Sequence, residues 1–334
     1  MSETASPVWL ITGASSGLGA YLALYALKAG HRVLATARNV SKAEAAFPEI
    51  TKLGGQWLQL DVSAADVEAK VKKAATIYGR LDVVVNNAGY SLLGACEDIR
   101  YVNSSSIASI GVKNGHIRDA YCISTTGSSL SLLTAGLYGT ARLICPSDAE
   151  AHEQMETNFF GPLKVIRGAL PTMRNQEAGT IVNITSIAAL DGLATCSLYA
   201  GSKFALEGAS ESLAREVSKF NIRVLLVEPG AFRTNFLSAY DTPKVGISEP
   251  YKEGAVADVM NAFQNMNGSQ KGNTEQGVAR IFEVVTRTGQ AADLGEILRL
   301  PLGSDCVDRI EKKIVNLQGD LDKTRSIALS TDFA

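Results

Sequence analysis

The sequence has little with which to hold a metal, a polyanion or a membrane. Only three of its 334 residues are histidine. His31, His116 and His152 stand apart, with no cysteine or acid at ligand spacing, so no metal site is expected and each reads as a surface or packing residue. Charged residues are scarce at 20%, and 32 Lys and Arg against 34 Asp and Glu leave a net charge of -2. That balance offers no basic field to a nucleic-acid backbone or an anionic membrane. The longest apolar run, residues 20–27, has eight members, far from the roughly 20 that span a bilayer. No basic stretch and apolar core precede the first strand-like segment, so no secretory signal is expected. The five cysteines, Cys96, Cys122, Cys145, Cys196 and Cys306, are odd in number and form no CxxC pair. They point to reduced thiols and a cytoplasmic location. What remains is 46% hydrophobic, enough to bury a large core, and the partners left open are small molecules.

Short β-branched runs alternate with helical patterns. Strands are predicted at residues 8–12, 32–36, 56–60, 81–86, 180–185 and 223–228, and helices at 18–29, about 64–78 and about 197–220. This alternation predicts a doubly wound α/β fold, a parallel sheet with helices on both faces, in a single domain over residues 1–334. Residues 100–146 do not fit: eight Ser and four Thr accompany a single acid, Asp119, with no clean helical or strand periodicity. A structureless insert of that length is rare inside a compact domain.

The run TGASSGLG, residues 12–19, follows a strand and opens a helix. In that context Gly13 permits a tight turn, Gly17 lets the backbone approach phosphate, and Gly19 lets the helix pack near the sheet, with the helix N-terminus facing the anion. A glycine-rich turn without ligand is the alternative. An NAD site places an acid about 20 residues further on, where it would repel a 2′-phosphate. Here the strand ends ATAR, with Ala37 where the family resemblance set out below implies the acid and Arg38 next, which suits NADP(H), with Arg38 clamping the phosphate. The competing reading of Arg38 is a solvated surface charge.

In the second half, Ser186 closes the strand IVNIT, Tyr199 opens a helical stretch, and Lys203 follows at i+4 on the same helical face. Hydride addition to a carbonyl builds charge on oxygen and needs a proton donor within reach. Tyr199 can supply that proton, an adjacent Lys203 ammonium is expected to lower its pKa for the reverse reaction, and Ser186 can polarise the carbonyl. Cys196 has no histidine partner and is not expected to be a nucleophile.

With these motifs the sequence resembles the short-chain dehydrogenase/reductase superfamily, in its main TGxxxGxG and YxxxK branch, over nearly the whole chain except residues 100–146. The resemblance implies a Rossmann-type domain in which Thr12, Gly13, Ser15, Ser16, Gly17, Leu18 and Gly19 cradle the cofactor. It implies that Asp61, with Val62, contacts adenine. It also implies that the NNAG signature, with Asn87, Ala88 and Gly89, steadies the sheet beside the cofactor. Asn158 would complete a tetrad with Ser186, Tyr199 and Lys203 and position a water relay, and Lys203 would also bind the nicotinamide ribose. Pro229, Gly230 and Thr234 would close over the nicotinamide, the alternative for Thr234 being a plain helix cap. The style of the sequence is similar to fungal members associated with secondary metabolism, and to retinol and 17β-hydroxysteroid dehydrogenases.

Residues 231–300 read as a substrate lid and C-terminal extension, where Phe232, Phe236, Leu237 and Tyr240 suit a small apolar ketone or secondary alcohol, unless they only pack the lid down. Ile310, Ile314, Leu317 and Leu321 recur at helical spacing and are expected to dock on their own domain rather than form a coiled-coil seam. A homodimer or homotetramer is the expectation for assembly. The leading function is an NADPH-dependent ketone reductase or the reverse alcohol dehydrogenase. The alternatives are a non-catalytic NADP-binding sensor and an inert product disrupted by residues 100–146. That segment reads as a translated intron, the competing reading being a genuine loop on the active-site rim. Removing its 47 residues leaves 287 and brings Gly89 within 22 positions of Asn158. Arg100, Tyr101 and Val102 can be coded with a GTATGT donor, and Pro146 and Ser147 with a terminal AG.

Overall fold

The first strand shows how the sheet is buried. In VWLI all four side chains are buried, Val8 and Leu10 in one core cluster and Trp9 and Ile11 in the other. Apolar residues at successive positions therefore serve opposite faces, the mark of a sheet covered on both sides. The protein is seen here as a computed structural model that describes residues 6–99, 107–113, 116–122 and 149–333.

In chain order the elements are β1 (Val8–Ile11), α1 (Gly17–Lys28), β2 (Arg32–Ala37), α2 (Val40–Ala46), α3 (Pro48–Lys52), β3 (Gln56–Gln59), α4 (Val67–Tyr78) and β4 (Val83–Asn86). Next come β5 (Ile107–Lys113), β6 (His116–Cys122), α5 (Ala149–Met155), α6 (Gly161–Gln176), β7 (Gly179–Ile184), α7 (Ser197–Val217) and β8 (Ile222–Pro229). The last are α8 (Ala255–Met266), α9 (Thr274–Thr286), β9 (Arg299–Leu302) and α10 (Ser304–Leu329). Seven strands form one parallel sheet in the order β3-β2-β1-β4-β7-β8-β9. The order reverses between β1 and β4, so a crevice opens at the carboxyl ends of those two strands. One core, from Leu22, Ala26, Val278 and Phe282, covers the sheet on the α1 and α9 side. The other, from Val71, Ala75, Val165 and Met173, covers it on the α4 and α6 side. The doubly wound architecture expected from the sequence is present, and the nine strands and helices expected outside residues 100–146 appear with their ends shifted by three residues or fewer.

Two expectations are corrected. Within residues 100–146, β5 and β6 pair antiparallel with each other and with no strand of the main sheet, so the segment is not devoid of strand. Ladder pairing is a backbone property and needs no alternating pattern in the side chains. Most of that segment lies outside the described residues. Within residues 231–300, expected to be lid and C-terminal extension, α9 buries Val278, Ile281, Phe282 and Val285, and β9, the edge strand of the sheet, begins. Phe232 belongs with this core, packed so closely that a Cβ on Gly277 would lie 2.6 Å from its ring. Lastly, the α10 stripe does not dock on its own domain, since Ile314, Leu317 and Leu321 are 60%, 57% and 47% exposed.

Candidate active site

The turn after β1 is held by hydrogen bonds that only this sequence supplies. Thr12 Oγ1 accepts from the backbone N–H groups of Asn87 and Ala88, 3.0 Å each. Asn87 Nδ2 donates to the carbonyl oxygens of Thr12 and Gly13, also 3.0 Å each. The two motifs are thus one structure, and it leaves no room for side chains. Gly13 sits at φ +63° with its missing Cβ position 2.7 Å from Ala88 Cα. A Cβ on Gly19 would press into Asn87 Nδ2 and lie 2.7 Å from the Gly13 carbonyl. Replacing Gly19 by alanine should therefore break the Asn87 bonds and cost about 1–3 kcal/mol of stability. Thermal unfolding checks this, and an unchanged melting temperature would contradict the close approach.

At the mouth of the crevice α1 begins at Gly17 with no side-chain cap and no acid in its first turn. Its free amides suit an anion. Ser15, Ser16 and Arg38 are exposed beside it, while Ala37 is buried. Asp61 is tied down by Ser63, whose N–H and hydroxyl donate to Oδ1 at 3.0 and 2.6 Å, and these bonds hold its carboxyl below the usual range, with Arg38 and Lys70 adding to the effect. Val62 is buried and packs against Gly161. Leu18 is half-buried and packs on the core. Thr234 sits beside the glycine turn, its Cβ 3.7 Å from where a Cβ on Gly17 would be, and it also caps the next turn by accepting from Phe236 N–H at 3.2 Å. The capping reading of Thr234 is thus seen directly, in a residue that also borders the glycine turn. Gly230 N–H donates to Leu302 O at 2.8 Å, fixing the turn after Pro229 to the edge strand.

The polar centre is built on α7 and the ends of β4 and β7. Asn158, fully buried in a π-helical turn joining α5 to α6, accepts from Tyr90 N–H at 3.1 Å and donates to Tyr90 O at 2.9 Å and Ser202 Oγ at 3.1 Å. Lys203, also buried, donates to Ile184 O at 2.9 Å. A Cβ on Gly89 would lie 3.1 Å from Asn158 Oδ1 and 3.6 Å from Lys203 Nζ, so the three residues converge. Ser186 lies within hydrogen-bond reach of Tyr199. The sequence missed Tyr90, whose role comes from its backbone, Ser202, whose hydroxyl accepts from Asn158, and Glu207, which stands at i+4 from Lys203 on the same face and was legible by spacing.

One electrostatic expectation is corrected. Lys203 Nζ lies 6.0 Å from the Tyr199 ring centroid, and burial pushes the Tyr199 phenol up to about 12, Ser186 drawing it partly back. Burial likewise pushes Lys203 down to about 8, against the pull of Glu207. Desolvation disfavours both charged forms, so the ion pair that would lower the phenol is itself weakened.

Above Tyr199 the surface is apolar. Phe236 packs on its ring at 5.7 Å between centroids, and Leu93, Ala188 and Cys196 form a cluster with it onto which Tyr240, Met260 and Phe263 pack. His31 is a packing residue, accepting from Trp9 Nε1 at 2.8 Å and lying against Phe282. Cys96, Cys196 and Cys306 are free thiols. No helix among the described residues is long and apolar enough to cross a membrane.

Comparison with known proteins gives the same picture. The family model described as short chain dehydrogenase matches residues 7–112 and 132–244, its break lying inside the 100–146 segment. The chain is 46% identical over 241 residues to "Oxidoreductase claN" of Passalora fulva, covering 72% of this chain and 88% of that one. A short-chain dehydrogenase from Streptomyces avermitilis superposes with a TM-score of 0.72 at 30% identity, covering 98% of this chain and 100% of that one. A metagenomic short-chain oxidoreductase in complex with NADP shares the fold, with a TM-score of 0.57 at 23% identity over 89% of this chain and 96% of that one.

Proposed function

The chain belongs to the short chain dehydrogenase family, and on that premise we propose that it is an NADPH-dependent oxidoreductase. It reduces a ketone of a small apolar substrate, or oxidises the corresponding secondary alcohol. The observation that carries this reading is the buried convergence of Lys203 and Asn158 on Gly89, with Tyr199 and Ser186 at the same carboxyl end of the sheet. A sensor without chemistry has no use for a desolvated phenol, which counts against that alternative.

When bound, a nicotinamide supplies a hydride to the carbonyl carbon. The residues of the chain do the rest. Thr12, Gly13 and Gly17 with the uncapped start of α1 would hold pyrophosphate, Asp61 the adenine side, and Thr234 the nicotinamide end. Ser186 orients the substrate oxygen toward Tyr199, which donates its proton as charge builds there. A phenol pushed up to about 12 by burial is protonated at neutral pH, the state a proton donor needs. Lys203 steadies the phenol and would bind ribose, while Asn158 fixes the Tyr90 backbone beside it. The apolar surface from Phe236, Tyr240, Met260 and Phe263 suits an apolar substrate. A cytoplasmic site, a homodimer or homotetramer, and a role in secondary metabolism complete the reading.

Arg38 beside the buried Ala37 supports NADP(H) over NAD(H). NADPH is expected to bind at least about tenfold tighter than NADH, which takes only about 1.4 kcal/mol, within reach of one charge-assisted phosphate contact. Arg38→Asp should invert the preference. Titration of both reduced cofactors checks this, and equal affinities in the unmutated protein would refute it.

We also propose that residues 100–146 are a translated intron outside the working fold. The flanks support it by meeting the same neighbours. Asp98 Oδ2 accepts from Ser248 N–H at 3.0 Å, and Glu150 Oε1 accepts from Lys244 N–H at 3.2 Å. Gln154 reaches back to accept from Leu92 N–H at 2.7 Å and donate to Tyr90 O at 2.8 Å.

A further inference from the structure

From the exposed stripe on α10 we infer that this helix is a docking surface for a second copy of the chain, paired antiparallel along residues 307–328. The inference goes beyond the proposed chemistry and does not depend on it. Only the start of the helix is held by its own domain: Cys306 is buried, with its thiol donating to Glu228 O at 3.0 Å, and Arg309 Nε bonds Asp191 Oδ2 at 2.7 Å. From Glu311 to Leu329 every side chain is exposed apart from partly covered Lys313. That free portion is roughly 28 Å long. An isolated helix of this length is marginal in water and draws its stability from packing an apolar face.

Val307, Ile310, Ile314, Leu317 and Leu321 are spaced by three and four residues, and Thr324 and Ala328 continue the rhythm, giving three heptads with a and d positions on one stripe. The flanking charges select the occupant and its direction. In an antiparallel pair with Ile314 opposite the partner's Leu317, Lys313 faces the partner's Asp320 and the reverse, while Glu311 faces the partner's Gln318. Shifting by one heptad either way brings Lys313 against its own copy or Asp320 against its own copy. A parallel pair leaves Lys313 against Gln318, and it sets both domains, which grip the first turns of their helices, at one end. Neither Lys313 nor Asp320 makes an ion pair among the described residues. A membrane surface is a poorer occupant, because residues 304–329 carry five acidic and five basic residues and so no net attraction to anionic lipid.

The test is the mass of the full chain in solution, by sedimentation, with cofactor binding as a control for folding. Ile314→Asp with Leu317→Asp alters exposed positions only and is expected to halve the assembly mass while leaving cofactor affinity unchanged. Lys313→Asp should weaken self-association at least tenfold, and adding Asp320→Lys should restore it. A parallel pair would not be rescued by that exchange. A monomeric wild type, a mass unchanged by the double aspartate variant, failure of the charge exchange to rescue, or helix-dependent binding to phosphatidylcholine–phosphatidylserine vesicles would each overturn the inference.

Discussion

Tyr199→Phe is expected to reduce turnover by about 10²- to 10⁴-fold, the usual worth of a general acid, while cofactor affinity stays within a few-fold. The loss corresponds to about 3–5 kcal/mol of transition-state stabilisation. The change removes one hydroxyl and leaves the ring, which is buried against Phe236 and the Leu93 cluster, so the fold keeps its packing. The glycine turn and Arg38 are untouched, which is why binding survives. Lys203→Ala should damage binding and turnover together, since the ammonium end lies at the point where Gly89, Asn158 and the Ile184 carbonyl meet. The pH dependence follows from the direction of the phenol's shift. A donor pushed up to about 12 is protonated below that value, so reduction should persist through neutral pH, while oxidation, which needs the phenolate, should rise as pH rises. A Phe variant keeping more than about a tenth of the activity would show that the proton comes from elsewhere.

The second large effect is expected from removing residues 100–146. A chain joining Ile99 to Ser147 and Asp148 should be soluble and should carry the activity, and the mature message should lack the corresponding 141 bases. The join keeps Ser147 three residues before Glu150, an N-terminal capping pattern for α5, and sets it directly after Ile99. Stability is the weaker readout, because closure entropy rises by only about 0.6 kcal/mol for each doubling of loop length. A message that retains all 141 bases, with an active full-length protein and an inactive shortened one, would refute the intron reading. A genuine rim loop would then be the better account.

How much the sequence disclosed depended on whether a signal was local. The glycine turn, Ser186, Tyr199 and Lys203 could be placed because each sits at a strand end or helix start whose pattern spans a few residues. Central strands such as β1 and β4 were legible because burial on both faces writes them as continuous apolar runs. Helix α9 falls within the span read as lid and C-terminal extension and was not itself placed, since GVARIFEVV has a helical face but nothing in it says which side of the sheet it covers. Phe232 stays open between substrate contact and packing in the sequence for the same reason: its neighbours Gly272 and Gly277 are 40 and more residues further on. The α10 stripe was read as docked because a short apolar pattern does not say whether its partner lies in the same chain. The direction of the Tyr199 shift was missed because spacing reports which groups are close, whereas desolvation depends on everything packed above them.

The central claim is hydride reduction of an apolar ketone with NADPH, completed by a proton from Tyr199. Its most direct test mixes the purified protein, full-length and rejoined, with NADPH and a panel of apolar ketones and follows the loss of reduced-nicotinamide absorbance. The account predicts ketone-dependent loss with NADPH, at least about tenfold less efficient with NADH, and absent in Tyr199→Phe. No ketone-dependent loss across the panel in either chain, or equal rates with and without the Tyr199 hydroxyl, would contradict it.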